Sequence, residues 1–110
     1  EIAERFFRLE PNPRLKIIHE DGRVFLNRAE TGKYDAVMID AFGSLFSVPF
    51  QLTTVEAVRE IRRVLKPDGI VIFNIGGALE GTASRFFQAE RKTYQSIFPQ
   101  GHVFKVDPAK

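Results

Sequence analysis

Two apolar runs, Ala36-Val37-Met38-Ile39 and Ile70-Val71-Ile72-Phe73, limit the possible folds more than any other feature of the chain. Each is too short for a helix and too uniformly apolar for a strand with one wet face, so each reads as a strand buried on both sides. The segment between them is helical. Thr53-Thr54-Val55-Glu56 matches a capping box with Thr53 as N-cap, and Ala57, Ile61, Val64 and Leu65 supply the inward stripe. Two buried strands joined through a helix are expected to lie parallel, with a right-handed crossover.

The flanking segments continue the alternation. Ile2, Ala3, Phe6 and Phe7 stand at helical spacing, which predicts an amphipathic helix over residues 1–9 that stops before Pro11-Asn12-Pro13. Residues 15–18 have the β-branched character of a short strand. Asp21 can cap a helix from Gly22 to about Ala29, with Val24, Phe25 and Ala29 turned inward, and Thr31-Gly32 ends it. Lys66-Pro67-Asp68-Gly69 fits a type I turn. After a loose stretch containing Gly76, Gly77 and Gly81, a helix is predicted over 82–98, with Phe86, Phe87, Tyr94, Ile97 and Phe98 as its apolar side. Residues 102–106 read as a last strand. No repeat or linker interrupts this order, so residues 1–110 are expected to form a single α/β unit with a mostly parallel sheet and flanking helices.

Composition removes several functions. Sixteen Lys and Arg against fourteen Asp and Glu give a net charge of only +2, and the basic residues are scattered over helix outer faces. They read as solvated surface, not a nucleic-acid patch. The absence of cysteine excludes disulfides and thiolate metal sites, and His19 and His102 alone do not make a metal centre. No apolar run is long enough to span a bilayer and no signal peptide is visible, so a cytoplasmic protein without a membrane partner is expected.

Asp40 ends the first apolar run and opens the loop Ala41-Phe42-Gly43-Ser44. Ligands of open parallel sheets bind beyond the carboxyl ends of the strands, which puts this acid where chemistry would occur; it could equally cap the next turn. Asp21 is at least a helix cap. His19 at the preceding strand end reads as structural, Asn74 could line the same crevice as Asp40, and the glycines of residues 76–81 form a flexible turn without dinucleotide spacing.

Four segments then carry a resemblance: Asp21-Gly22-Arg23-Val24-Phe25-Leu26, Tyr34 to Phe42, Pro49-Phe50-Gln51-Leu52-Thr53-Thr54, and Val64-Leu65-Lys66-Pro67-Asp68-Gly69. In order and spacing the chain resembles the spermidine synthase-like family of polyamine aminopropyltransferases and their relatives. The resemblance implies a Rossmann-like S-adenosylmethionine-dependent methyltransferase fold in partial form. It implies that Asp21, with Gly22, holds the adenine of S-adenosylmethionine or decarboxylated S-adenosylmethionine as co-substrate, without a metal. It also implies that Asp40 is the general base that deprotonates a small-molecule amine or other nucleophile.

Two departures from the family pattern stand out. A second acid expected three residues after Asp40 is Gly43, in a loop carrying Phe42, Phe46 and Phe50. The glycine-rich nucleoside loop and the ribose-binding acid that the family places upstream are absent, and residues 1–9 match the helix that follows them. The chain therefore reads as the later part of a larger domain, inactive alone. The alternatives are a methyltransferase with a less cationic acceptor and a non-catalytic association domain. With upstream strands missing, residues 15–18 are expected to pair directly with residues 36–39 in a four-stranded sheet of sequence order, with homo-oligomer formation through an exposed edge.

Overall fold

Strand β1 (Tyr34–Ile39) and strand β2 (Leu65–Phe73) form a parallel pair, joined by the three-residue 3-10 turn Phe50–Leu52 and helix α2 (Val55–Val64). Helix α1 (Gly22–Arg28) precedes β1, and helix α3 (Arg85–Gln95) follows β2. The computed structural model describes residues 12–40, 50–75, 81 and 84–105. The helix expected over residues 1–9, the loop with Phe42, Gly43 and Phe46, and the glycines at 76 and 77 lie outside the described residues. Among the described residues no helix is long and apolar enough to cross a membrane.

The parallel ladder confirms the reading of the two apolar runs, with one change of register. Tyr34 faces Leu65 and Ala36 faces Ile70, so β1 advances two residues while β2 advances five; from there the strands run in step to Ile39 and Phe73. The turn expected at Lys66-Pro67-Asp68-Gly69 is thus a bulge within β2. Glycine fits closely at its exit: a Cβ on Gly69 would lie 3.0 Å from the Leu65 side chain and the Lys66 carbonyl, so a larger residue would press on both. Lys66 Nζ reaches Asp35 Oδ1 at 3.0 Å, and Arg62 Nη1 donates to the Lys66 carbonyl at 3.3 Å, pinning the bulge to both strand and helix.

The starts of α1 and α2 follow from side-chain capping. Asp21 Oδ1 accepts from the Arg23 and Val24 amides at 2.9 and 3.3 Å, as expected. The α2 cap is Thr54, not Thr53. Thr54 Oγ1 accepts from Ala57 N at 3.1 Å, while Thr53 Oγ1 donates to the Phe50 carbonyl at 2.7 Å and closes the 3-10 turn. Glu56 then stands one position short of the place from which a capping-box partner reaches back.

The core lies between the helices and one face of the sheet. Leu26, Ile39, Leu52, Ile61, Val64 and Leu65 form its buried cluster, with Tyr34, Val37, Val71, Phe73, Tyr94 and Phe98 packed against it. Leu26, not Val24, is the inward residue of α1; Val24 is exposed. The opposite face, Met38, Ile70 and Ile72, is 74%, 56% and 47% exposed, so the expectation of burial on both sides is corrected: the described helices cover one face only.

Three further expectations are corrected. Residues 15–18 belong to no ladder; only an isolated bridge joins Asn12 to Leu15, and Leu15, Ile17 and Ile18 are exposed. The sheet of described residues is two-stranded, β1–β2, not four-stranded in sequence order. Residues 101–105 likewise form no strand, and Val106 lies outside the described residues. β-branched composition marks a segment that suits a ladder, but a ladder also requires an open neighbouring edge at the right place.

Helix α1 has seven residues, too few to be stable alone, and Arg63 fastens its end. Arg63 Nη2 donates to the Leu26 carbonyl at 2.7 Å, Nη1 to the Ala29 carbonyl at 2.8 Å and to Thr31 Oγ1 at 2.9 Å, and Nε to Glu60 Oε2 at 2.6 Å. Arg63→Met should lower unfolding stability by about 2–4 kcal/mol, since charged hydrogen bonds to the end of α1 are lost. Arg63→Lys should recover less than half of that, because an ammonium lacks the planar fork. Urea denaturation of the two variants measures both losses.

Candidate functional site

Parallel pairing brings the tips of β1 and β2 side by side. Ile39, buried, ends β1, and the exposed Asp40 follows it; Phe73 ends β2 and Asn74 follows. Asn74 N donates to the Ile39 carbonyl at 3.0 Å, which extends the ladder one step past β2. Asn74 Nδ2 donates to Asp40 Oδ1 at 3.2 Å. An acid and an amide therefore meet at the carboxyl ends of two parallel strands, the position at which open α/β sheets take ligands. Phe50, expected to line this loop, is exposed at the start of the 3-10 turn.

Asp21 and Gly22 sit at the start of α1. Both capping bonds fall on Oδ1 of Asp21, so the second oxygen supplies acceptor capacity beyond the cap. Gly22 lies beside Leu52, whose Cδ1 would be 3.7 Å from an added Cβ. The neighbouring Arg23 has a structural role that sequence reasoning missed. Its Nη1 donates to the Gln51 carbonyl at 3.1 Å and to Thr54 Oγ1 at 3.3 Å, and its Nε to Asn27 Oδ1 at 3.0 Å. The Asp-Gly-Arg triplet is thus fastened to the segment that begins α2. The described contacts relate Asp21 to Asp40 through this segment and the shared core, not directly. His19 lies exposed in the unpaired stretch before Asp21, and no cluster of described residues is placed to hold a metal ion.

A family model described as the spermine/spermidine synthase domain matches residues 5–106. The chain belongs to that family. A polyamine aminopropyltransferase of Vibrio vulnificus is 31% identical over 108 residues, covering 96% of this chain and 34% of the relative. A probable polyamine aminopropyl transferase of Bifidobacterium longum is 32% identical over 87 residues, 79% of this chain and 19% of the relative. A polyamine aminopropyltransferase of Clostridium acetobutylicum is 38% identical over 71 residues, 64% of this chain and 24% of the relative. The chain spans about a third or less of the length of these relatives. No solved structure matches it.

One further polar group in this family member lies on α3. Glu90 is only 4% exposed, and among the described residues neither its Oε2 nor the Tyr94 hydroxyl has a hydrogen-bond partner. Tyr94 packs on Phe73, with ring centroids 5.4 Å apart, and on Phe98. Burial pushes the Glu90 carboxyl up to about 7, from an ordinary 4.5. Burial, and secondarily the Glu90 charge, pushes the Tyr94 phenol up as well. The signal was present in the sequence: Phe87, Glu90 and Tyr94 are spaced three and four apart on one helix face, so the acid interrupts an inward row.

Because the folded-state carboxyl titrates above its unfolded value, folding favours the protonated form. The contribution of Glu90 to stability should be fully present below about pH 4.5, be lost as pH rises towards about 7, and then level off, a loss of about 3 kcal/mol. Glu90→Gln should flatten that slope and be the more stable protein at pH 8. Denaturation midpoints from pH 5 to 8 for both proteins provide the check.

Proposed function

We propose that this chain forms the later part of a Rossmann-like, methyltransferase-type domain that transfers an aminopropyl group from decarboxylated S-adenosylmethionine to an amine. The observation that carries the reading is Asp40 at the carboxyl end of β1, directly beside the end of β2. Family membership and relatives named as polyamine aminopropyltransferases support the reaction class. In this reading the amine lone pair attacks the aminopropyl carbon attached to the sulfonium. The carbon–sulfur bond breaks, its electrons pass to sulfur as a neutral thioether, and Asp40 takes the proton released from the nitrogen. Most of the rate would come from holding two substrates in line. Asp21 would accept a hydrogen bond from the adenine amino group, with Gly22 leaving room at the helix start.

A second reading has one observation in its favour. Gly43 stands where aminopropyltransferases are expected to carry a second acid, so a cationic diamine would find one carboxylate where two are expected. A methyltransferase acting on a less cationic acceptor needs only one. Parallel assays with isotope-labelled aminopropyl and methyl donors distinguish the two.

In the intact protein, Asp40→Asn should lower the turnover number roughly a hundredfold or more while leaving donor affinity nearly unchanged. Near-normal turnover with labelled decarboxylated S-adenosylmethionine and putrescine would rule out Asp40 as base. Asp21→Ala should weaken nucleoside binding by about 1.5–3 kcal/mol, read by calorimetry. Lower stability with unchanged nucleoside affinity would reduce Asp21 to its capping role.

A further inference from the structure

We propose that Asn74 is the positioning residue of this site: it holds Asp40 by Oδ1, so that Oδ2 is the atom that receives the proton. The inference rests on the reading of Asp40 as base and adds a residue to which neither the family match nor the relatives assign a role. Two independent bonds support it. The Asn74 backbone amide donates to the Ile39 carbonyl at 3.0 Å, which fixes the Asn74 Cα to the residue just before Asp40. Its side-chain Nδ2 then closes on Asp40 Oδ1 at 3.2 Å. The two residues form a clip built on one ladder step, and any movement of the strand tips carries both together.

The chemistry of the partner matters as much as its place. A carboxylate only accepts hydrogen bonds, so the amide must present its N–H edge, and the contact distinguishes one oxygen from the other. Asp40 is exposed, and an exposed aspartate without such a contact samples several rotamers, of which only some aim an oxygen at a nucleophile. A lysine or arginine in the same place would also orient the acid, but its charge would favour the ionised form and weaken the base. A neutral amide orients the carboxylate without adding a charge of its own. The arrangement suits a group that must both hold a direction and take a proton.

The test uses the intact protein with Asn74→Leu, Asn74→Ser and Asn74→Gln, alongside Asp40→Asn. Asn74→Leu should lower kcat about tenfold and leave both KM values within twofold. Asn74→Gln, which keeps the amide, and Asn74→Ser, which keeps a shorter donor, should each recover part of the loss. The double variant Asp40→Asn/Asn74→Leu should be no slower than Asp40→Asn alone, because the clip acts only through Asp40. A second readout does not require turnover: the Asn74 side-chain amide resonance should move in Asp40→Asn. Unchanged kcat in Asn74→Leu beside a defective Asp40→Asn, strictly additive losses, or an unmoved amide resonance would each overturn the positioning role and leave the base intact. Full activity in Asp40→Asn would overturn the base, and the positioning role with it.

Discussion

The guanidinium of Arg63 is the interaction on which the rest of the arrangement depends. It spends its donors on the Leu26 and Ala29 carbonyls, Thr31 and Glu60, and so joins the end of α1 to the side of α2. The backbone continues the connection: Gly32 N donates to the Arg63 carbonyl at 2.8 Å and Lys33 N to the Val64 carbonyl at 2.9 Å. Those two bonds deliver the chain into β1 beside the start of β2. Gly32 makes the approach with a positive φ of 65°, a conformation that costs glycine little. The approach to β1, and hence where Asp40 emerges, is thus fixed some distance from the site, by the Arg63 side chain together with these two backbone bonds and the ladder to β2. Arg23 performs a smaller version of the same task at the other end of α1.

The parts of this structure that were legible in the sequence are those governed by local chemistry. The two apolar runs do pair in parallel, Asp21 caps α1, and Ala57, Ile61, Val64 and Leu65 are all buried. Asp40 stands at a strand tip, as its place after an apolar run required, and Asn74 beside it follows from the register of the pair. What was not legible depended on a choice between near-equals or on distant partners. Thr53 and Thr54 carry the same hydroxyl, and the 3-10 turn before them decides which one caps. Residues 15–18 have the composition of a strand, yet strand formation needs an edge that composition does not supply. The inward acid Glu90 is missed when a single charged residue inside a helix is read as surface and its spacing from Phe87 and Tyr94 is not weighed. Arg63 was read as one of many solvated cations, since three of its four acceptors lie more than thirty residues away.

The site and the fold make opposite demands on exposure. Asp40 and Asn74 lie at the surface, where a substrate can reach them, while the residues just before them, Ile39 and Phe73, belong to or pack on the core. The pair is thereby mounted on strand ends, so its geometry derives from packing around Leu26, Ile61 and Val64. Substitutions in that cluster can then shift the strand ends without touching Asp40 or Asn74.

The bulge in β2 has a consequence for how such a domain can vary in length. Five residues of one strand pass while two of the other do, and the surplus bows outward at Pro67 and Asp68, both exposed. The ladder beyond Ile70 resumes its register whatever lies in the bow, so long as the glycine at its exit can close against Leu65. The bow is therefore a slack joint: residues added at its crest would lengthen a surface feature without turning Ile72 and Phe73 to the wrong faces. That makes it the natural place for such a protein to acquire an extra loop, and for an experimenter to graft a probe.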